Sequence, residues 1–247
     1  MTLQPGAVGF DRAGDVYERA RPSYPDAAVA HLVEALYLRS GTTLDVGAGT
    51  GKLTRLLTAS GARVVALEPL AGMWRQLVAA LPSVPVAAGV AEAIPLADGA
   101  VHAVTAGQAF HWFRVDDAVA ELHRVLEPGG RLGLVWNRRD ESVDWVRAFN
   151  DLLQPYEADT PREWRRAWEP GFFQTNLFTS LERAEFDHTH ALDVDGLVER
   201  AGSVSFVAAL PDEERAVLLE RVRALGETLA APIVMPYRTA VYWCTRR

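Results

Sequence analysis

The sequence has little cysteine and no excess of positive charge. A single cysteine, Cys244, stands among 247 residues, which excludes an internal disulfide and a Cys-rich zinc or iron–sulfur site. Lys and Arg number 25 against 32 Asp and Glu, so the formal net charge is −7, and no long basic run is present. A nucleic-acid partner is therefore not expected, because phosphate binding needs a concentrated basic face.

Long hydrophobic runs are also lacking. No stretch approaches the roughly 18 apolar residues that a membrane-spanning helix needs. The first residues have neither the basic start nor the apolar stretch of a signal peptide. Because 49% of the residues are hydrophobic and 23% are charged, the composition is that of an ordinary globular protein. We expect a cytoplasmic protein whose partner is a small molecule.

Strand and helix patterns alternate along the first half of the chain. Apolar residues follow helical spacing after Asp26, and a β-prone run at 43–46 leads through a glycine turn into a second helix. The alternation continues with strands at 63–67, 84–88, 101–106 and 132–136 and with helices at 73–81 and 115–126. Such alternation predicts the α/β doubly wound class, a parallel sheet with helices on both faces.

No linker or internal repeat divides the chain, and we interpret residues 1–247 as one domain. It would comprise an N-terminal arm at 1–25, a cofactor-binding core at 26–139, a Trp-rich helical cap at 140–180 and a C-terminal completion of the sheet at 181–247. Within the last segment, the patterns predict a strand at 181–192, an amphipathic helix at 213–229 and an edge strand at 237–245.

The glycine turn indicates which ligand the core binds. A dinucleotide fingerprint needs a third glycine where this chain has Lys52, and Asp45 lies two residues before the first glycine, Gly47. A carboxylate there favours an amino group on the ligand over a pyrophosphate. Glu68 ends the second strand 68 − 47 = 21 positions past Gly47, where an acid binds ribose hydroxyls. The spacing thus favours a ligand with a ribose, an amine and no pyrophosphate, and S-adenosylmethionine has those features. The alternative is a plain tight turn.

Several motifs then resemble one family in their expected order. Residues 44–51, Leu-Asp-Val-Gly-Ala-Gly-Thr-Gly, resemble motif I of the class I S-adenosylmethionine-dependent methyltransferases, and Leu67-Glu68-Pro69 resembles their acidic second motif. Segments at 17–25, 89–98, 108–113 and 126–130 resemble the small-molecule group that includes the trans-aconitate and ubiquinone-biosynthesis enzymes. The resemblance covers roughly residues 10–140. It implies a mostly parallel seven-stranded sheet with an antiparallel edge strand and a helical cap.

The resemblance also implies a set of cofactor-binding residues. In the core they are Asp45, Gly47, Ala48, Gly49, Gly51, Glu68, Pro69, Met73, Ala91, Glu92 and Gln108. The N-terminal arm would act as a lid over the methionyl end of the cofactor. Its candidate residues are Tyr17 and Arg21, and Arg21 would contact the methionyl carboxylate. Many relatives have an Asp where this chain has Val90, which leaves Glu92 or a backbone carbonyl to contact the adenine amino group.

His111 is the candidate for chemistry, because it follows the fourth strand and histidine titrates in the range of a general base. The alternative is a structural histidine. Candidate substrate contacts are Trp112, Arg138, Trp164 and Trp168; Arg138 and Arg139 either hold an anionic substrate or solvate a loop. His188 and His190 share a strand face but have no third ligand, so no metal is expected.

The predicted function is transfer of the sulfonium methyl group of S-adenosylmethionine to a small molecule by in-line displacement. The acceptor atom, whether hydroxyl, amine or carboxylate, and the choice between monomer and homodimer stay open. One alternative is a protein that binds S-adenosylmethionine for sensing or assembly without methyl transfer. Another is a nicotinamide oxidoreductase, which Lys52 disfavours.

Overall fold

A computed structural model describes residues 20–158, 160–161 and 168–247. The chain divides into two compact units. The first holds the described residues of 1–22, 138–160 and 187–238, and the second holds those of 23–137, 161–186 and 239–247.

Each of the seven strands contributes residues to the second unit. The strands are β1 (Thr42–Val46), β2 (Arg63–Leu67), β3 (Val86–Ala87), β4 (Val101–Gly107), β5 (Leu126–Arg139), β6 (Glu182–Leu192) and β7 (Ile233–Thr245). Their order across the sheet is β3-β2-β1-β4-β5-β7-β6. β1 pairs in parallel with β2 and β4, β2 with β3, and β4 with β5. The mixed, mostly parallel seven-stranded sheet expected from the sequence is thereby confirmed.

Helices flank these strands in the predicted alternation. Those of the second unit are α1 (Asp26–Ala35), α2 (Lys52–Ala59), α3 (Ala71–Ala80), α4 (Val115–Val125) and, later in the chain, α6 (Glu169–Phe173). In α4 the residues Ala118, Val119, Leu122 and Val125 recur at helical spacing and are buried, which fixes the face that packs on the sheet. Because β4 lies inside the sheet, its residues 103–106 are buried on both faces.

The first unit has its own apolar core. It contains helices α5 (Asp144–Leu153), α7 (Val194–Gly202), α8 (Ser205–Ala208) and α9 (Asp212–Glu227). α7 and α9 approach closely at Gly226, where a Cβ would lie 3.2 Å from Val194 and 3.3 Å from Leu197. The sequence analysis predicted α9 and did not identify α7 or α8.

One sequence prediction differs from the structure. The predicted edge strand at 237–245 lies within β7, which has β5 on one side and β6 on the other, so β6 forms that edge. Of the residues predicted as a helical cap, 140–180, the structure describes α5 in the first unit and α6 in the second, and their role as a cap stays a prediction. Local periodicity identifies an element but does not show which neighbour covers it. Among the described helices, none is both long and apolar enough to cross a membrane.

Candidate functional site

The turn between β1 and α2 requires glycine for two separate reasons. Gly47 and Gly49 have φ angles of +68° and +59°, in the left-handed region that side chains disfavour. A Cβ on Gly47 would also lie 2.6 Å from the Cβ of Ala109, which is closer than two carbons can approach. The backbone N–H groups of Gly47 and Ala48 donate to the Leu67 carbonyl at 2.8 and 3.1 Å. These bonds fix the turn against the end of β2.

Glu68 links the end of β2 to the glycine turn that follows β1. Its Oε2 accepts a hydrogen bond from the Gly49 N–H at 2.8 Å, and its Oε1 accepts from the Leu70 N–H at 2.9 Å. The side chain is 4% exposed. An ionised carboxylate has about four acceptor positions, which is more than these two backbone bonds use. A Cβ on Gly49 would meet no described atom within 4 Å, so the turn backbone lies open beside Glu68.

Asp45 is held from within the protein. Its Oδ2 accepts from the Thr54 hydroxyl at 2.6 Å and its Oδ1 from the Thr105 hydroxyl at 2.9 Å, and the residue is 1% exposed. Burial raises the pKa of this carboxyl from 3.8 to about 6, and the hydroxyl bonds oppose that shift. The sequence did not single out either threonine. Direct contact of Asp45 with the ligand amino group stays a prediction.

The segment after β4 lies against the glycine turn through Ala109. Gln108 has a φ of +56°, rare for a residue with a side chain, and its N–H donates to the Val135 carbonyl at 2.9 Å. The Gln108 side chain donates through Nε2 to the Asn137 carbonyl at 3.1 Å. Strained backbone held by such bonds is typical of functional sites. These bonds fix the direction in which the chain enters the next turn, Phe110–Trp112.

His111 lies in that turn and accepts a hydrogen bond from Trp136 at the end of β5. The indole Nε1 of Trp136 donates to the imidazole Nδ1 of His111 over 3.1 Å. Because an indole nitrogen is only a donor, Nδ1 is the unprotonated nitrogen and the neutral ring carries its proton on Nε2. This tautomer offers an N–H at Nε2, which does not suit the general base that the sequence analysis predicted. The sequence places Trp136 on the neighbouring strand but gives no sign of this bond.

Aromatic side chains support the imidazole. Trp112 packs against His111 with ring centres 5.4 Å apart, and Trp136 stacks on Trp168 at 5.4 Å. Trp168, predicted to contact substrate, is 2% exposed and also packs edge-on against Phe110. Its Nε1 has no hydrogen-bond partner among the described residues. Trp168 therefore contributes apolar surface to the core behind His111.

The remaining core candidates follow β2 and β3 along the chain. Met73 and Ala91 are buried and Pro69 is half-buried beside Glu68. Glu92, a candidate for the adenine amino group, accepts through Oε1 from the backbone N–H of Arg114 at 2.7 Å. That bond satisfies a free N–H at the start of α4. Contact of Glu92 with adenine stays a prediction.

Other candidates belong to the first unit or lie outside the described residues. Arg21 belongs to the first unit, where its guanidinium donates to Ser203, and Arg138 is in the first unit as well. Tyr17 and Trp164 lie outside the described residues. His188 and His190 lie on β6 in the first unit, and the described ranges contain no group of three or more His, Cys, Asp or Glu that would hold a metal ion.

Comparisons with known proteins agree with the ligand indicated by this geometry. The family described as "Methyltransferase domain" matches residues 44–134. An uncharacterized methyltransferase of Mycobacterium tuberculosis is 40% identical over 238 residues, which cover 94% of this chain and 93% of that protein. The malonyl-[acyl-carrier protein] O-methyltransferase of Methylococcus capsulatus is 44% identical over 185 residues, covering 72% of this chain and 59% of that protein. A solved structure from Anaeromyxobacter dehalogenans, assigned as a type II methyltransferase, superposes with a TM-score of 0.67 at 26% identity and covers 92% of this chain and 97% of that chain.

Proposed function

This chain belongs to the S-adenosylmethionine-dependent methyltransferases, and we propose that it transfers the methyl group to a carboxylate of a small acidic molecule. The observation that carries the choice of acceptor is the hydrogen bond from Trp136 Nε1 to His111 Nδ1.

The residues around the glycine turn fit the cofactor. S-adenosylmethionine supplies a methyl group that its sulfonium already activates. Glu68 would accept hydrogen bonds from the ribose hydroxyls, because its carboxylate is fixed at the end of β2 beside the open backbone of Gly49. The chain's own contribution is then to position the acceptor and exclude water rather than to activate the methyl group.

The tautomer of His111 separates the acceptor classes. A hydroxyl or a protonated amine must lose a proton as the methyl group transfers, and a base usually contributes about 10²–10⁴-fold to the rate. His111 already carries a proton on Nε2, and protonation of Nδ1 would place two N–H groups against each other at Trp136. A carboxylate is already an anion, needs no base, and accepts a charge-assisted hydrogen bond from the Nε2–H.

The related Methylococcus protein supports the same class of acceptor. Its name, malonyl-[acyl-carrier protein] O-methyltransferase, assigns it an acceptor with a malonyl group, which carries a carboxylate. We propose a small acidic acceptor for this chain on that likeness and on the donor character of His111 together.

The test is steady-state kinetics with two acceptor panels, one of small mono- and dicarboxylates and one of hydroxyl and amine compounds. We expect turnover with carboxylates. His111→Ala should raise KM about tenfold or more, because a charge-assisted hydrogen bond contributes about 1.5–3 kcal/mol, and should leave kcat nearly unchanged. His111→Gln, which keeps an N–H donor, should recover part of the lost affinity.

The pH profile gives the second measurement. Between pH 5 and 9 the profile of His111→Ala should match that of the parent, because no histidine base contributes an acid limb. Trp136→Phe is the matched control, since it keeps an aromatic ring but removes the N–H that fixes the tautomer, and it should introduce such a limb or raise KM. Turnover confined to hydroxyls or amines, with His111→Ala lowering kcat by 10²–10⁴-fold, would restore the general base and overturn the carboxylate.

A further inference from the structure

A buried arginine near the end of α7 has neutral partners. Arg200 is 4% exposed, its Nε donates to the Tyr237 hydroxyl at 3.0 Å, and its Nη1 approaches the Ser203 hydroxyl at 3.5 Å. Tyr237 and Ser203 are each 1% exposed. The guanidinium is thus enclosed in the first unit by hydroxyl groups.

A second guanidinium converges on the same serine. Arg21 donates from Nε to the Ser203 hydroxyl at 3.1 Å and from Nη2 to the Ser203 carbonyl at 2.8 Å. Ser203 is held in place because its own hydroxyl donates to the Arg200 carbonyl at 2.8 Å. One buried hydroxyl therefore positions two cations next to each other.

Among the described residues, Arg200 lacks the carboxylate partner that two other arginines of the first unit have. Arg215 and Arg223 of the same unit pair with Asp212 and Asp195 at 2.7 and 2.8 Å. Among the described residues, no carboxylate forms an ion pair with Arg200. An enclosed cation without an opposite charge is costly, and arginine keeps its charge in proteins. The arrangement therefore favours an anion from outside the chain.

We propose that Arg200 and Arg21, with Ser203 and Tyr237, form a binding site for an anionic oxygen group, a carboxylate or a phosphate. Arginine is suited to both groups because its planar set of donors matches their oxygens. The Tyr237 hydroxyl, which accepts from Arg200, keeps its own hydrogen to donate. The site goes beyond the methyl-transfer reaction, and its test measures binding without turnover.

The experiment titrates the full chain, without S-adenosylmethionine, with succinate in one arm and inorganic phosphate in the other. Ionic strength is held constant with chloride, and both calorimetry and the midpoint of thermal unfolding are followed. A ligand that binds only the folded state raises the midpoint in a saturable way. We expect this with at least one anion, and the arm that saturates at the lower concentration identifies the group.

Three variants and a control link the binding to the cluster. Arg200→Met, which keeps the side-chain length, should abolish the saturable rise, and Arg21→Met should weaken binding about tenfold, the scale of one charge-assisted hydrogen bond. Arg221→Met is the matched control, because Arg221 is an exposed arginine on α9 of the same unit, and it should bind as the parent does. If Arg200→Met does not fold, Ser203→Ala tests the site instead, since it removes the hydroxyl that positions both guanidiniums.

Two results would overturn the site. One is a parent chain that neither anion stabilises, or that binds equally well in all the variants, in which case Arg200 only ties α7 to β7. The other is loss of succinate or phosphate binding when S-adenosylhomocysteine is added, because Arg21 would then serve the cofactor's carboxylate. Binding that persists beside saturating S-adenosylhomocysteine supports a separate site. Neither outcome bears on whether the methyl acceptor is a carboxylate.

Discussion

At the scale of single residues, Asp45 shows how burial changes the chemistry of a motif residue. The carboxyl lies under the glycine turn with a threonine hydroxyl on each oxygen. Burial nevertheless dominates and raises its pKa to about 6. Because the folded state holds the proton more tightly than the unfolded chain does, protonated Asp45 stabilises the fold.

This stabilisation should depend on pH in a defined direction. It is fully present below about pH 4 and is lost as the pH rises through about 6, and a shift from 3.8 to about 6 corresponds to about 3 kcal/mol. Urea unfolding at pH 4 to 7 should show the parent losing stability relative to Asp45→Asn by that order. Asp151→Asn, a change at an exposed aspartate, is the control. Parallel curves for the parent and Asp45→Asn would mean that Asp45 ionises as it does in the unfolded chain.

At the scale of elements, the β1–α2 turn separates two reasons for a glycine. Gly47 and Gly49 share a left-handed φ, but only Gly47 faces a close neighbour, Ala109, across the turn. The turn is thus shaped both by its own backbone and by the segment that follows β4.

Alanine substitutions should resolve the two costs. Gly49→Ala should lower the free energy of unfolding by about 1–2 kcal/mol, because the only cost is that of a side chain at a left-handed φ. Gly47→Ala should lose clearly more, because its Cβ would also overlap with Ala109. Adding Ala109→Gly to Gly47→Ala should recover the difference in urea unfolding. If the two glycine variants lose equal unfolding free energy, or if the double variant recovers none, Ala109 moves away from the new Cβ without a measurable cost.

At the scale of the whole molecule, the sheet order brings the two parts of the cofactor motif together. β1 and β2 are parallel neighbours, so the glycine turn and Glu68 meet at the same edge although 19 residues separate Gly49 from Glu68. The Asp45 carboxylate before the turn also disfavours a pyrophosphate.

Calorimetry should therefore show that S-adenosylhomocysteine binds and that nicotinamide dinucleotides do not. Glu68→Ala should weaken S-adenosylhomocysteine binding by an order of magnitude or more, because ribose hydroxyls lose a charged partner. Glu68→Gln keeps the side-chain shape and one acceptor oxygen, so its affinity for S-adenosylhomocysteine should lie between those of the parent and of Glu68→Ala. Unchanged affinity in Glu68→Ala would remove Glu68 from the site. Tight binding of a dinucleotide would contradict the inference that Lys52, in place of a third glycine, disfavours such a ligand.

The sequence by itself determined the alternation of strands and helices, the parallel sheet and the cofactor motif. These features are local: apolar periodicity identifies an element, and Gly47, Gly49 and Glu68 lie at element ends whose position follows from that alternation. It also indicated the methyltransferase family, because the motifs stand in order along the chain. It did not identify α7 and α8, and it placed β7 at an edge, since periodicity does not show an element's neighbours.

Only the tertiary structure decided what the polar side chains bind. Thr105 lies 60 positions from Asp45, and Trp136 lies 25 positions from His111, so neither partner could be found by spacing along the chain. Burial, opposed in part by the first contact, sets the pKa of Asp45, and the second contact sets which nitrogen of His111 carries the proton. Arg21 lies 182 positions from Ser203, where it meets Arg200. Hydrogen bonds of this kind depend on positions in space, and those positions exist only once the strands and helices have packed.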